Sequence, residues 1–236
     1  MAKIKKRGDV ASTQPEQEFM TLTRSISEFI AKYRQKFTIA AVAVAAVFVF
    51  IVGYSFMKSQ QEQRASALIA ASYNYYNPAN GNADYGRALE LFRDVQKKYP
   101  DTLNGAIAQY YVGNCLVNLG RPEEALKEYS TFINKYKSQK ILAGFVYQRM
   151  GYVYEGMGKS DDARKSFEQA ETFLGTGVAT VELARLYEMA GNQQEAEKKY
   201  KAVLEQLGGT TWAMEASSKT QKINPMPTTT SGEGEK

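Results

Sequence analysis

From residue 58 onward the apolar positions recur at helical spacing, and no stretch alternates apolar and polar residues as a half-buried strand would. Four sets share one pattern: Ala88, Phe92, Val95 and Tyr99; Ala125, Tyr129, Phe132 and Tyr136; Ala163, Phe167, Ala170 and Leu174; Ala196, Tyr200, Val203 and Leu207. Steps of four and three put each set on one stripe of a helix. Breakers fall at Asn77-Pro78, Tyr99-Pro100, Gly120-Arg121-Pro122, Gly158, Gly175 and Gly177, Gly191, and Gly208-Gly209. The leading alanines lie 37, 38 and 33 residues apart. That period, in a chain that is helical throughout, predicts stacked helical hairpins.

Turn chemistry fits these boundaries. Pro122 suits the first turn of a helix with Glu123 and Glu124 beside it, Ser160 suits a cap ahead of Asp161 and Asp162, and Asn192 with Glu195 forms a capping pattern. Carboxylates near helix N-termini stabilise by about 0.3–1 kcal/mol each, so the acidic pairs need no catalytic explanation. Residues 210–223, with Trp212, Ala213, Ala216 and Ile223, predict one closing helix, and residues 224–236 a disordered tail.

A different pattern precedes the repeats. Residues 37–57 carry no charge, and only Thr38, Gly53 and Ser55 are not apolar. As a helix the segment would span about 31 Å, close to the hydrocarbon thickness of a bilayer. A buried helix of a soluble core seldom runs so long without a polar residue. A signal peptide would have a shorter apolar core nearer the N-terminus, and Met57-Lys58-Ser59 is no small-residue cleavage site. The expectation is one uncleaved membrane-spanning helix.

Charge sets its direction. Arg24, Lys32, Arg34 and Lys36 precede the span, and Lys58 and Arg64 follow it. The positive-inside rule therefore expects residues 1–36 in the cytoplasm and the repeats on the far side. Before the span, Phe19, Leu22, Ile26, Phe29, Ile30, Tyr33 and Phe37 form an apolar stripe, with Thr13 and Glu16 as a capping pair. The stripe suits a helix lying on an anionic inner leaflet; the alternative is a short cytoplasmic helix that touches a partner or nothing. The first dozen residues are expected to be disordered. No Gly or Pro lies between Gly53 and Pro78, so the spanning helix should run on into the first repeat helix, to near Tyr76, and hold the repeats at a fixed distance from the bilayer.

Composition excludes most site chemistry. Histidine is absent, which removes imidazole from catalytic and metal-binding schemes. The lone Cys115 allows neither an intrachain disulfide nor a cysteine metal site, and sits where a buried cysteine acts as a small apolar residue. Of the net charge of +5, residues 1–36 hold +4, so the charge does not mark the body as a nucleic-acid binder. Gly156-Met157-Gly158-Lys159-Ser160 ends like a phosphate-binding loop, but the loop's first glycine and preceding strand are missing, and an inter-helix turn explains it. No enzyme activity, cofactor or metal is expected.

The hairpins resemble tetratricopeptide repeats. The resemblance is carried by Tyr111, Gly113 and Ala125; by Tyr147, Gly151, Tyr154, Ala163 and Phe167; and by Leu183, Ala184, Tyr187, Ala196 and Tyr200. Gly120, Gly158 and Gly191 each stand five residues before the alanine of the second helix. The hairpin containing Ala88 departs from the pattern, with an Asn/Gly-rich insertion at residues 77–82. Together with the spanning helix read from residues 37–57, the resemblance implies an all-α fold: a single N-terminal transmembrane helix, then a right-handed solenoid of about four helical hairpins plus a capping helix. The domains would be residues 1–36, 37–57, 58–223 and 224–236.

By the family's groove positions, a partner-binding surface would fall on Tyr73 and Asn77; on Tyr110, Asn114 and Asn118; on Gln148, Tyr152 and Glu155; and on Arg185 and Glu188. Such a wall is polar and aromatic, suited to peptides or loosely folded segments; a solvated face that binds nothing is the alternative. A paired-basic clamp for a terminal carboxylate is not expected, since Tyr110 stands where a lysine would be wanted.

The order of parts, with the Gln/Glu-rich passage of residues 58–67, resembles the YfgM-like family of single-span bacterial inner-membrane proteins with a tetratricopeptide-like periplasmic domain. That resemblance implies an accessory role linking the Sec translocon to periplasmic chaperones. Its partners would be translocon subunits, periplasmic folding factors or unfolded chains, with no nucleic acid and no small-molecule substrate. A scaffold subunit of a secretion, pilus or polysaccharide-export assembly is the alternative.

Overall fold

The computed structural model describes residues 14–223. The expectations for the first dozen residues, for the cap at Thr13, for the side chains of Glu16, Phe19 and Leu22, and for residues 224–236 lie outside the described residues. Among the described residues there are ten α-helices and no strand. They divide into two units, at Ser59 and Gln60.

The first unit holds α1 (Gln14–Lys32) and the start of α2 (Arg34–Tyr76). The two helices are separated by Tyr33, whose ring meets that of Phe29 and carries the ammonium groups of Lys32 and Lys36 at 5.8 and 5.5 Å from its centre. α2 is the one helix among the described residues that is long and apolar enough to cross a membrane. Its large apolar side chains from Ile39 to Met57 are 51–74% exposed, so they are left uncovered by the described residues. The helix is unbroken through residues 58–67.

The second unit is a run of helical hairpins. The end of α2 packs with α3 (Tyr85–Lys98), where Tyr76 meets Tyr85 and Phe92 edge-on. Then come α4 (Leu103–Asn118) with α5 (Pro122–Tyr136), α6 (Lys140–Gly156) with α7 (Ser160–Leu174), and α8 (Val178–Met189) with α9 (Gln193–Gln206). α10 (Thr211–Ile223) closes the run, with Ala213 and Ala216 buried and Trp212 and Met214 exposed. The rest of its exposed residues, Thr211, Glu215, Ser218, Gln221 and Lys222, are polar.

The stripes read from the sequence form the interior. Ala88, Phe92, Val95, Ala125, Tyr129, Phe132, Ala163, Phe167, Ala170, Ala196, Tyr200 and Val203 are all 1% exposed or less. They fall into three successive clusters. Tyr147 and Tyr154 bridge the first and second, and Tyr187 the second and third. Each hairpin thus completes its core against its neighbours, the defining economy of a stacked repeat.

The turns inside three hairpins are the same. Gly120, Gly158 and Gly191 adopt φ of +70°, +73° and +77°, the left-handed region that favours glycine. The following amide then reaches back five residues: Arg121 N–H to Leu116 C=O, Lys159 N–H to Tyr154 C=O, and Asn192 N–H to Tyr187 C=O, each at 2.9 Å. This is the turn that ends one helix and starts the next. It also corrects one expectation. Ser160 is the first helical residue and not the cap; Lys159 occupies the cap and makes no side-chain capping bond. Asn192 does cap, its side chain accepting from the Glu195 amide.

Candidate functional site

The first helix of each hairpin turns one face away from its second helix; α4 meets α6, and α8 meets the closing helix α10. Two adjoining depressions lie on this face. The smaller, about 120 Å³, is lined by Tyr76, Asn114, Val117, Asn118, Tyr129, Arg149, Tyr152 and Val153. The larger, about 600 Å³, is lined by Tyr110, Phe145, Gln148, Arg149 and Tyr152. Arg149 and Tyr152 form their shared wall.

The structure therefore brings together Tyr110, Asn114, Asn118, Gln148 and Tyr152 from the expected surface. Asn114 differs in kind from the others. It is 3% exposed, and its Oδ1 accepts a 2.6 Å hydrogen bond from the hydroxyl of Tyr129, so it serves the interior as much as the surface. Asn118 is exposed and donates to the Asn114 carbonyl.

Glu155 and Arg185 form a second group beside the depressions. Arg185 contacts the Glu155 carboxylate at 2.6 Å and donates through Nε to Glu182 at 2.8 Å. The Tyr152 hydroxyl donates to the other Glu182 oxygen at 3.0 Å. Burial, with the charge of Glu182 added, pushes the Tyr152 phenol up to about 12, so it stays a neutral donor.

The remaining expected residues lie elsewhere. Tyr73 and Asn77 hydrogen-bond to each other near the end of α2, and the Tyr73 ring meets Tyr111 edge-on; neither lines a depression. Glu188 is engaged internally: it accepts from Lys219 of α10 at 3.0 Å and from the buried Tyr200 at 3.1 Å. Lys219 holds its carboxyl below the ordinary range.

Sequence reasoning missed Phe145, Arg149 and Glu182. Phe145, Gln148, Arg149 and Tyr152 are spaced by three, one and three residues, one face of α6. That stripe is readable in the sequence, but the family's groove offsets do not include Phe145 or Arg149. Glu182, three residues before Arg185, is its neighbour on α8 by the same rule. Among the described residues no group of three or more Cys, Asp or Glu side chains is arranged to hold a metal ion.

These repeats match the tetratricopeptide repeat-like domain over residues 27–224, most of the chain. The chain belongs to that family. Among solved structures it is similar to a tetratricopeptide repeat protein from Parabacteroides merdae ATCC 43184, at 18% identity and a TM-score of 0.55, covering 68% of this chain and 60% of that one. It thus spans about 60% of that relative's length. It is also similar to MamA, at 20% identity and a TM-score of 0.50, covering 67% of this chain and 81% of MamA. Identities this low bear on the fold alone. No curated protein matches the chain. Repeats of this family are protein–protein interaction modules, and the chain carries that architecture.

Proposed function

We propose that the chain is a single-span protein of the bacterial inner membrane whose repeats hold protein partners in the periplasm, as an accessory factor linking the Sec translocon to periplasmic chaperones. Residues 37–57 cross the lipid, residues 1–36 remain in the cytoplasm and residues 58–223 lie outside. The observation that carries this reading is the uncovered apolar surface from Ile39 to Met57, beside helices that bury their own stripes. Such a surface suits hydrocarbon and is costly in water. The flanking charges supply the direction. The adjoining depressions, walled by tyrosines and Phe145, offer apolar area with polar edges, as surfaces that hold peptide segments do.

Fractionation and crosslinking test the reading together. The full chain should stay with membranes after alkaline carbonate washing, and protease added to spheroplasts should digest residues 58–223. Crosslinked cells should yield adducts with translocon subunits or periplasmic folding factors. Release of the chain into the soluble fraction, or protection of its repeats in spheroplasts, would contradict the anchor and its direction. Adducts confined to a secretion, pilus or polysaccharide-export assembly would contradict the translocon role.

A further inference from the structure

We infer that Arg149 and the tyrosines around it form a recognition pocket for an acidic side chain, Asp or Glu, carried on an extended apolar-flanked segment of a partner protein. This rests on the interaction-surface reading above and specifies the partner's chemistry.

Arg149 stands apart from the other arginines between residues 85 and 206. Arg87, Arg93, Arg121, Arg164 and Arg185 each pair with a carboxylate. Arg149 has no carboxylate partner among the described residues; its hydrogen bond, through Nε, goes to the Tyr110 hydroxyl at 3.4 Å. Neither depression has an acidic residue in its wall. Glu182, which accepts from Tyr152, is also bound by Arg185, as is Glu155. The guanidinium is permanently charged and has five N–H donors in a planar fork, of which one is used here. A carboxylate is the side-chain group that answers both the charge and the fork.

The surroundings define the flank. Phe145 is 44% exposed in the larger depression, against Tyr110 and Gln148. An apolar side chain seated there would cover it. An extended chain places successive same-face side chains about 6–7 Å apart, which suits two depressions that share a wall. The smaller depression, about 120 Å³, has room for a short acidic side chain.

The test uses the full chain in detergent micelles and two fluorescein-labelled peptides blocked at both ends, Gly-Ser-Phe-Ser-Asp-Ser-Leu-Gly and its Asn counterpart, read by fluorescence anisotropy. Blocked ends remove any terminal carboxylate. The Asp peptide should bind about tenfold tighter than the Asn peptide at low salt, and the preference should shrink as salt rises. Arg149→Gln should bring the two within about twofold, and Arg149→Lys should keep part of the preference. Arg149 is exposed, and circular dichroism checks that both variants keep their helices. Equal binding of the two peptides, or a preference that survives in Arg149→Gln, would overturn the inference. In that case binding of the Asn peptide that Phe145→Ser abolishes would leave the interaction-surface reading standing. Failure of both peptides to bind would overturn both.

Discussion

Gly151 lies directly under the ring of Phe167: a Cβ built on it would sit 2.6–2.8 Å from three ring carbons. The same relationship recurs one hairpin earlier, between Gly113 and Tyr129, where a Cβ would come within 2.3 Å. Both aromatic rings are buried, so neither can swing away into solvent. Gly151→Ala and Gly113→Ala should each destabilise the hairpins by about 1–3 kcal/mol, the cost of overpacking. Gly156→Ala, whose Cβ meets nothing within 4 Å, should be neutral or slightly stabilising. Urea unfolding followed by circular dichroism distinguishes these outcomes. Equal effects at Gly151 and Gly156 would mean that close helix approach is not what selects glycine there.

Tyr129 combines two duties, since its ring packs on Gly113 and its hydroxyl donates to Asn114 at 2.6 Å. Tyr129→Phe preserves the ring and leaves the Asn114 side-chain oxygen without that donor. The expected cost is about 1–3 kcal/mol in the same unfolding measurement. A loss under about 0.5 kcal/mol would show that Asn114 finds a replacement donor in the neighbouring depression.

The pair of Glu188 and Lys219 ties the last hairpin to α10 and should be felt through pH. Lys219, assisted by the Tyr200 hydroxyl, depresses the Glu188 carboxyl in the folded state. The unfolded chain therefore takes up the proton first on acidification. The stabilisation is fully present above the ordinary carboxyl pKa and disappears as pH falls through the depressed one. The pair is about one-third exposed, which screens it, so the expected magnitude at pH 7 is only about 0.3–1 kcal/mol. Glu188→Gln should lose that much near neutrality and converge with the parent once the pH has fallen through the depressed carboxyl pKa. A gap between the two proteins that persists in acid would point to packing and not charge.

Cys115 is fully buried, and burial pushes its thiol up to about 12. Both facts oppose reaction, because the thiolate is the nucleophile and reagent must reach it. Iodoacetamide at pH 8 should label the folded chain slowly, at a rate that tracks opening of the α4–α5 hairpin, and label it rapidly in urea. Rapid stoichiometric labelling of the folded chain would contradict the packing described for α4.

The hairpins were legible because their cores are local. Each stripe such as Ala163, Phe167 and Ala170 needs only the next helix to bury it, so spacing along the sequence carries the information. The inter-helix glycines were legible for the same reason: a turn of left-handed backbone has a residue preference of its own. The cap at Lys159 was not, because one residue of turn geometry decides whether Ser160 lies at the cap or inside the helix. The surface was half legible. Tyr110, Gln148 and Tyr152 could be placed by offset, but only contacts between helices 30 or more residues apart show that Arg185 meets Glu155 and that Arg149 meets Tyr110. Glu188 had the right position on its helix and the wrong occupant, since Lys219 from the closing helix claims it.

The central claim is that the face built by the first helices is where protein partners bind. Photocrosslinking in intact cells tests it most directly, with p-benzoylphenylalanine in place of Tyr110 or Tyr152 in the depressions, and in place of Lys127, exposed on α5, as the reference. The account expects discrete protein adducts from Tyr110 and Tyr152 and few from Lys127. Adducts from Lys127 alone, or none from the depressions, would contradict it.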